Sequence, residues 1–214
     1  MNNKDITVVI CAAGMGTRLG IGTTKALVHI CGKPLIIHQL ELLDNYDDVR
    51  IVLGYQADKV IEVVNKYRKD VLFAFNYDYH NTGAAASLSK ATLGARKYVV
   101  SIDGDLLINK EDFHKFMEYD DECIAISKCC SDEPVKIEVI NNKATGFEIE
   151  SRYEWPGLVK VMTSNLKLYK AYTGNTYEIL QQLLPMKTML VDACDIDTSD
   201  DYDRVVAWAK QSNI

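Results

Sequence analysis

Short β-branched runs alternate with helical patterns along the first half of the 214-residue chain, and this alternation limits the folds that are open to it. Apolar runs of strand length recur four times; they are Ile6–Ile10, Val49–Leu53, Val71–Phe75 and Tyr98–Ile102. Between them, apolar residues recur at the spacing of one helix face; these patterns begin at Pro34, run through Val60–Tyr67 and cover Ala84–Lys97. Such a chain builds a mostly parallel sheet that helices cover on both faces.

The second half of the chain shows patterns typical of antiparallel strands. The segment VKIEVI alternates apolar and polar residues, and Thr145–Ile149 and Leu158–Thr163 are predicted to be its neighbours. Near the end, TMLVDACDID predicts one more strand, and Thr198 with Asp201 has the spacing of a capping box for a helix over about 199–212. We therefore predict a three-layer α/β/α fold with a mixed, mostly parallel central sheet and a small antiparallel insert in the second half.

Composition and charge exclude several classes of protein. The net charge of −6 argues against nucleic acid or an anionic membrane surface as the main partner. No apolar stretch is long enough to span a bilayer, and the segment MNNKDITVVICAAG lacks the basic region and the apolar length of a signal peptide. The six cysteines form no C-x-x-C pair, and the histidines are scattered, with His38 predicted on a surface helix. We expect a reduced, cytoplasmic protein without disulfides or structural zinc.

The stretch VVICAAGMGTRLG, residues 8–20, carries an apolar strand into residues with almost no side chains. Ligands of open α/β sheets bind at the carboxyl ends of strands, where the N–H groups of a glycine loop suit phosphate oxygens. Arg18, beyond the loop, adds a cation for the same anion. For the G-x-G pattern alone, a tight strand-to-helix turn is an equally good interpretation.

Two standard glycine motifs do not fit this stretch. A dinucleotide fingerprint needs a helix at the second glycine and an acid at the end of the second strand. Here TRLGIGTTK is a poor helix, and the second strand ends in LGY. A Walker loop needs Gly-Lys-Ser/Thr, whereas the chain has TKA. What remains is a longer loop from Gly14 to Lys25 with a cation near each end.

This loop and the segment after it follow the pattern A-A-G-x-G-[ST]-R, then a lysine, then K-P-L-I before a helix. The matching residues are Ala12, Ala13, Gly14, Met15, Gly16, Thr17 and Arg18, then Lys25, Ala26 and Leu27, then Gly32, Lys33, Pro34 and Leu35. The pattern resembles that of the nucleotidyltransferase superfamily, whose members join a nucleoside triphosphate to a phosphorylated small molecule and release pyrophosphate. The resemblance implies a GT-A-like Rossmann fold in a single domain, 1–214, with a nucleotide-binding half over about 1–110 and an acceptor-binding half over about 111–200.

Two acidic segments supply candidate metal ligands. In YVVSIDGDLLI an apolar strand ends in Asp103-Gly104-Asp105, at the carboxyl edge that also carries the glycine loop. Carboxylates beside a phosphate loop would repel the ligand unless a divalent cation lay between them, and such oxygen ligands suit Mg²⁺. The resemblance implies that Asp105 and Asp197, the latter within CDIDTSDDYD, hold Mg²⁺, and that Asp103 contacts the nucleotide. Simple turn chemistry is the alternative interpretation of both segments.

The resemblance also assigns roles in an in-line displacement at the α-phosphorus. Lys25 and Arg18 are the catalytic cations, and the loop amides bind the outer phosphates. Small residues after the third strand are expected to close over the nucleobase, with an N-capped helix start as the alternative; they are Asn81, Thr82, Gly83 and Ala84. Candidates for contact with the acceptor are Lys136, Tyr153 and Trp155.

Within the superfamily, the chain looks most like the bacterial cytidylyltransferases of the phosphocholine type, over Ile6 to about Val206. This implies CTP as donor and a phosphorylated small alcohol or phosphonate as acceptor. Where phosphocholine enzymes carry aromatic residues after the third strand, this chain has AAA, which argues against choline itself and favours an acceptor with a hydroxyl or carboxylate.

Three other functions stay open on the sequence. They are a sugar-1-phosphate nucleotidyltransferase, a GT-A-type glycosyltransferase that uses the DGD motif, and a nucleotide-binding module without activity. The expected partners are small-molecule substrates, with no nucleic acid and no membrane. A homodimer is compatible with the sequence, which does not fix the assembly.

Overall fold

The computed structural model describes residues 3–20, 22–129, 131, 133–147, 149–166 and 172–212. Within these ranges the strands are β1 (Ile6–Ala12), β2 (His29–Ile30), β3 (Lys33–Pro34), β4 (Val49–Leu53), β5 (Val71–Phe75), β6 (Tyr98–Asp103), β7 (Leu106–Ile108), β8 (Cys123–Lys128), β9 (Ile137–Ile140), β10 (Lys143–Phe147), β11 (Tyr153–Glu154), β12 (Leu158–Met162), β13 (Met186–Leu190) and β14 (Ala193–Asp195). The α-helices are α1 (Leu35–Glu41), α2 (Ala57–Tyr67), α3 (Ala84–Ala91), α4 (Lys110–Glu118), α5 (Thr163–Leu166), α6 (Thr176–Leu180) and α7 (Ser199–Gln211).

One mixed sheet runs through the molecule, in the order β5-β4-β1-β6-β12-β8-β13-β10-β9, with β11 beside β8. The first four strands are parallel, as the alternation of strands and helices predicts. Antiparallel β12 lies between β6 and β8 and joins the two halves of the sheet. The predicted α/β class is confirmed, and the antiparallel strands of the second half extend the central sheet.

Helices cover both faces of this sheet, so that two cores form. Along β1, Val8 and Ile10 face the core under α1, α2 and α4, whereas Val9 faces the core under α3 and α6. All three side chains are fully buried. Buried residues on both sides of each central strand explain why the strands are continuous apolar runs in the sequence.

A two-stranded ribbon of β7 and β14 stands apart from the large sheet, with Leu106 opposite Asp195. Helix α7 packs over it, and the predicted capping box at its start is present. The Thr198 Oγ1 accepts from the Asp201 backbone N–H at 3.2 Å, and Asp201 Oδ2 accepts from the Thr198 N–H at 2.8 Å. The ribbon and the cap together fix the position of Asp197, which lies between them.

Several predicted elements differ from those observed. The segment Leu158–Thr163 lies between β6 and β8, not beside β9, because its apolar residues fill the central sheet. TMLVDACDID forms two strands, β13 and β14, which pair with different partners. The helix predicted over Ala84–Lys97 ends at Ala91, ahead of a turn at Gly94. Residue 148 of the predicted Thr145–Ile149 strand lies outside the described residues.

His38 lies on α1, and its side chain is buried, at 5% exposure. Its ring Nε2 lies 2.9 Å from the Ile30 carbonyl, and this contact satisfies the buried ring. No helix within the described ranges has the length and apolar character needed to cross a membrane.

Candidate active site

The loop after β1 brings Lys25 back across its own glycines. Short 3₁₀ turns at Thr17–Leu19 and Lys25–Leu27 stand where a helix would follow a dinucleotide-binding loop. Gly16 has φ +60°, and a Cβ at this position would lie 2.8 Å from the Lys25 Cγ. Glycine is therefore required both by the left-handed backbone and by the lysine stem that crosses over it.

The Asp103-Gly104-Asp105 turn lies against the end of β1. The Gly104 N–H donates to the Cys11 carbonyl at 3.0 Å, and a Cβ on Gly104 would approach that oxygen to 2.6 Å. Only glycine fits this contact. The glycine of the DGD motif is therefore explained by the close packing of the acidic turn on β1. Asp105 is thereby held at the same sheet edge as Gly16.

Five charged side chains from four parts of the chain meet in the cleft. The Lys25 ammonium donates to Asp105 Oδ2 at 2.7 Å and also contacts Asp197 Oδ1. Arg18 donates to the same Asp197 oxygen at 2.9 Å and pairs with Glu133. Burial lowers the pKa of Lys25, but the charges and hydrogen bonds of Asp105 and Asp197 outweigh it and raise that pKa above its ordinary value.

Two further carboxylates lie behind this group. Asp103 Oδ1 and Asp195 Oδ1 are buried and have no hydrogen-bond partner in the described part of the chain. Burial, then Asp105, raises the pKa of Asp103 well above its ordinary value. Burial, then Asp105 and Asp197, raises the pKa of Asp195 to about 7. The cleft therefore holds more carboxyl groups than Lys25 and Arg18 can neutralise.

A cleft of about 340 Å³ runs from the glycine loop to the start of α3. Most of the predicted nucleotide-binding residues line it; they are Ala12, Ala13, Gly14, Gly16, Thr17, Thr82, Gly83, Ala84 and Asp103. Met15 is not part of the lining, and Asn81 is exposed with its amide turned to Asp78 Oδ1 at 2.7 Å. The structure places these two side chains away from the cleft.

Three polar residues of this cleft were missed by the sequence analysis; they are Asn76, Tyr79 and Ser87. Asn76 is 1% exposed, and its amide donates to Thr82 Oγ1 at 2.9 Å and to Ser87 Oγ at 3.1 Å. A signal was present, because Asn76 directly follows β5 and therefore lies at the carboxyl edge where ligands bind.

A second cleft of about 350 Å³ adjoins the first and shares Arg18, Lys25 and Asp105 with it. Of the three acceptor candidates, Trp155 lines this cleft, whereas Lys136 and Tyr153 do not. Lys136 pairs with exposed Glu150 at 2.6 Å, and Arg152 lies over the Tyr153 ring. These two side chains find partners outside the cleft, which explains their placement.

The sequence analysis missed the acidic lining of the second cleft. Glu154 is 3% exposed and accepts hydrogen bonds from Ser127 and Ser131. Glu133 and Asp195 line the same cleft. No motif marks Glu133 or Glu154, because their positions depend on contacts with residues distant in the sequence, such as Arg18 and Ser127.

The donor set fits a hard divalent cation that shares its coordination with a ligand. Asp105 and Asp197 both contact the single Lys25 Nζ, so their carboxylates face one point. No group of three possible metal-binding side chains is found among the described residues. Two carboxylates completed by substrate oxygens and water are the coordination that Mg²⁺ favours in phosphate-binding sites.

Bifunctional GlmU proteins are among the curated relatives of this chain. The bifunctional protein GlmU of Aliarcobacter butzleri (strain RM4018) is 27% identical over 179 residues, which are 83% of this chain and 41% of that protein. The GlmU of Campylobacter fetus subsp. fetus (strain 82-40) is 38% identical over 107 residues, 48% of this chain and 24% of that protein. The chain spans less than half the length of these curated relatives.

Solved structures share the fold over nearly the whole chain. The CTP:phosphocholine cytidylyltransferase LicC from Streptococcus pneumoniae superimposes with a TM-score of 0.75 and 20% identity, covering 95% of this chain and 99% of that one. The inositol-1-phosphate CTP transferase from T. maritima gives 0.79 and 17%, covering 99% and 97%. Residues 8–148 match the family model of the MobA-like NTP transferase domain. The chain therefore belongs to the MobA-like NTP transferase domain family, which confirms the predicted nucleotidyltransferase class.

Proposed function

We propose that the chain transfers CMP from CTP to a phosphorylated small alcohol or phosphonate, releases pyrophosphate and uses Mg²⁺. The observation that carries the proposal is the position of Lys25, 2.7 Å from Asp105 and in contact with Asp197, directly beside the glycine loop. A cation between two carboxylates, facing a loop that fits a polyphosphate, supplies the charges that nucleotidyl transfer requires.

In this reaction an oxygen of the acceptor phosphate attacks the α-phosphorus, and the bond from that phosphorus to the pyrophosphate oxygen breaks. Two anions have to approach each other, so catalysis consists mainly of positioning and charge neutralisation. Arg18 and the N–H groups of Gly14 and Gly16 bind the two outer phosphates. Lys25 stands where the two clefts join, and its charge offsets the negative charge that develops around the α-phosphorus.

Asp105 and Asp197 would hold Mg²⁺, which supplies positive charge for the phosphates when bound. Lys25 and Arg18 neutralise the two carboxylates in the structure. Substrate binding therefore requires an exchange of partners, in which both cations leave the carboxylates for phosphate oxygens. The exchange keeps every buried charge paired, which limits its cost.

The far end of the first cleft suits a nucleobase. Asn76, Thr82 and Ser87 form a polar group there, and the backbone of Gly83 lies beside it. Amides and hydroxyls of this kind can both donate to and accept from the edge of a base. The phosphocholine and inositol-1-phosphate enzymes that share the fold are both described with CTP, which supports CTP as the donor.

The second cleft supports an acceptor without a carboxylate. The acceptor phosphate has to lie at Lys25, so the rest of the molecule faces Glu133, Glu154 and Asp195. A carboxylate there would be repelled, whereas an ammonium or hydroxyl group would be attracted. The Trp155 ring in the same lining adds a surface for an alkylammonium group. A choline-like acceptor is therefore favoured over the carboxylate-bearing one.

Pyrophosphate release tests the reaction. The protein is incubated with Mg²⁺, each of CTP, UTP, GTP and ATP, and a panel of phosphorylated alcohols, aminoalkyl phosphonates and sugar 1-phosphates. Release that needs both CTP and a phosphorylated alcohol or phosphonate supports the proposal. Release with UTP and a sugar 1-phosphate supports a sugar nucleotidyltransferase, and transfer from a nucleotide-sugar without pyrophosphate supports a glycosyltransferase.

Glu154→Gln tests the acceptor class. The KM for phosphocholine or phosphoethanolamine is expected to rise about tenfold, as one charge contact is lost, whereas the KM for glycerol phosphate stays within about twofold. Glu150→Gln is the matched control, because it removes the same charge from an exposed residue outside the cleft. An equal change for charged and uncharged acceptors would contradict the proposed acceptor class.

A further inference from the structure

We infer that Gln39 is a positioning residue for Asp105, an inference that rests on the proposed metal-binding role of Asp105. Gln39 lies on α1 and is 2% exposed. Its side-chain amide donates two hydrogen bonds, to the Asp103 carbonyl and to the Leu106 carbonyl, both at 2.8 Å. Neither bond involves a residue near in sequence, so the contact joins a helix to a remote turn.

The two acceptors enclose the acidic turn. Asp103 is the last residue of β6, and Leu106 is the first residue of β7, so only Gly104 and Asp105 lie between them. On the opposite side, the turn is held by the Gly104 N–H bond to the Cys11 carbonyl. The amide of Gln39 therefore fixes both ends of the segment that carries the Asp105 carboxylate.

The hydrogen-bond pattern explains why this position holds an amide. Two carbonyl oxygens require two donors, and an amide nitrogen supplies two N–H groups. The Gln39 Oε1 is buried and has no partner in the described part of the chain, so the donating nitrogen makes the contact. Glutamate would place oxygen against oxygen, and an apolar side chain would leave two buried carbonyls without these donors.

Gln39 also bears on the second carboxylate. Leu106 pairs in register with Asp195 across the ribbon, two residues before Asp197. A shift of Leu106 would therefore move the strand that leads to Asp197. The Gln39 amide therefore holds Leu106, which directly follows Asp105 and pairs with the strand that leads to Asp197.

The test compares Gln39→Met and Gln39→Glu with Thr7→Val. Both Gln39 variants keep the length of the side chain, and they differ in polarity. Thr7 is fully buried at the amino end of β1, donates to Asp48 at 2.6 Å and accepts from the Arg96 N–H at 2.9 Å. Its valine variant thus loses two buried hydrogen bonds at the opposite edge of the sheet. Unfolding midpoints of the three variants are measured to check that their stability losses are comparable.

The primary readout is the Kd for Mn²⁺ with CTP bound, measured by calorimetry and independent of turnover. The half-activating Mg²⁺ concentration and the KM for CTP are measured in parallel. Partners that orient metal ligands typically contribute about 10- to 100-fold in metal affinity. We expect both Gln39 variants to weaken Mn²⁺ binding about tenfold or more, with the KM for CTP within about twofold. Thr7→Val should leave the Mn²⁺ affinity within about twofold of the unsubstituted protein.

Mn²⁺ affinity that stays within about twofold in the folded Gln39 variants would overturn the inference, as would an equal loss in Thr7→Val. If Gln39→Glu does not fold, Gln39→Met decides alone. An unsubstituted protein that binds Mn²⁺ with CTP but transfers no nucleotide would refute the proposed function and leave the Gln39 test intact. An unsubstituted protein that binds no Mn²⁺ would refute the metal role of Asp105 and the inference together.

Discussion

Removing the Lys25 ammonium should change catalysis and metal binding in opposite directions. Lys25 contacts Asp105 and Asp197, and the proposed reaction needs the same charge at the phosphates. In Lys25→Ala the phosphates lose a cation, while the two carboxylates lose the group that competes with a divalent cation for them.

The magnitudes follow from the geometry. A unit charge about 4 Å from a phosphate oxygen contributes about 4 kcal/mol at an effective dielectric constant of about 20. Part of this is lost to water, because the Lys25 side chain is 16% exposed. We expect the turnover to fall about a hundredfold or more, the effect of losing one preorganised charge-stabilising group. With Asp105 and Asp197 left uncompensated, the affinity for Mn²⁺ in the absence of nucleotide should rise about tenfold, which corresponds to about 1.4 kcal/mol.

Turnover is measured by pyrophosphate release, and Mn²⁺ binding by calorimetry without nucleotide. Lys66→Ala is the control, because it removes the same charge from an exposed pair with Glu62 at 2.7 Å on α2. This control should leave both quantities unchanged. Near-normal turnover in Lys25→Ala, or Mn²⁺ binding that is unchanged or weaker, would refute the reasoning.

Two further predictions concern the glycine loop and the pH dependence of stability. Gly16→Ala and Gly20→Ala both place alanine at a positive φ, near +60° and +68°, and should each lose about 1–2 kcal/mol of unfolding free energy. Only Gly16→Ala brings a Cβ within 2.8 Å of the Lys25 stem, so kcat should fall in that variant alone; equal kcat values would contradict the role given to Gly16. Burial would raise the pKa of Asp48, but hydrogen bonds led by that from Arg50 outweigh it and hold the pKa below its ordinary value. The stabilisation by the ionised Asp48 carboxylate is present above the pKa that this group has in the unfolded chain, and it is lost as the pH falls through the pKa of the folded chain. Asp48→Asn should therefore cost about 1–3 kcal/mol of unfolding free energy at pH 7 and progressively less below about pH 4. Urea unfolding at several pH values measures this, and a loss independent of pH would refute it.

The fold could be predicted because its main signals are local. Continuous apolar runs such as Val49–Leu53 predict strands buried on both faces, and the structure has that strand with the same bounds. The place of Leu158–Met162 between β6 and β8 could not be predicted in this way, because strand order depends on contacts between distant segments. The same limit explains why TMLVDACDID was interpreted as one strand, whereas its two parts pair in different sheets.

The candidate site was predictable where backbone geometry demands particular residues. Gly16 and Gly104 are needed for close approach, and such positions leave short motifs in the sequence. Glu154 and Gln39 leave no motif, because their roles depend on burial and on partners far along the chain. Lys136 was predicted to contact the acceptor, but its side chain pairs with Glu150 and does not line the cleft.

The β7/β14 ribbon positions Asp105 and Asp197 independently of Glu154. Asp105 precedes one of its strands and Asp197 follows the other by two residues, so their separation depends on a few backbone pairs. Glu154 of the second cleft lies instead on β11, which pairs with β8 of the large sheet. Substitutions at Glu154 therefore leave the ribbon untouched, so the lining of the second cleft can change there while Asp105 and Asp197 keep their separation.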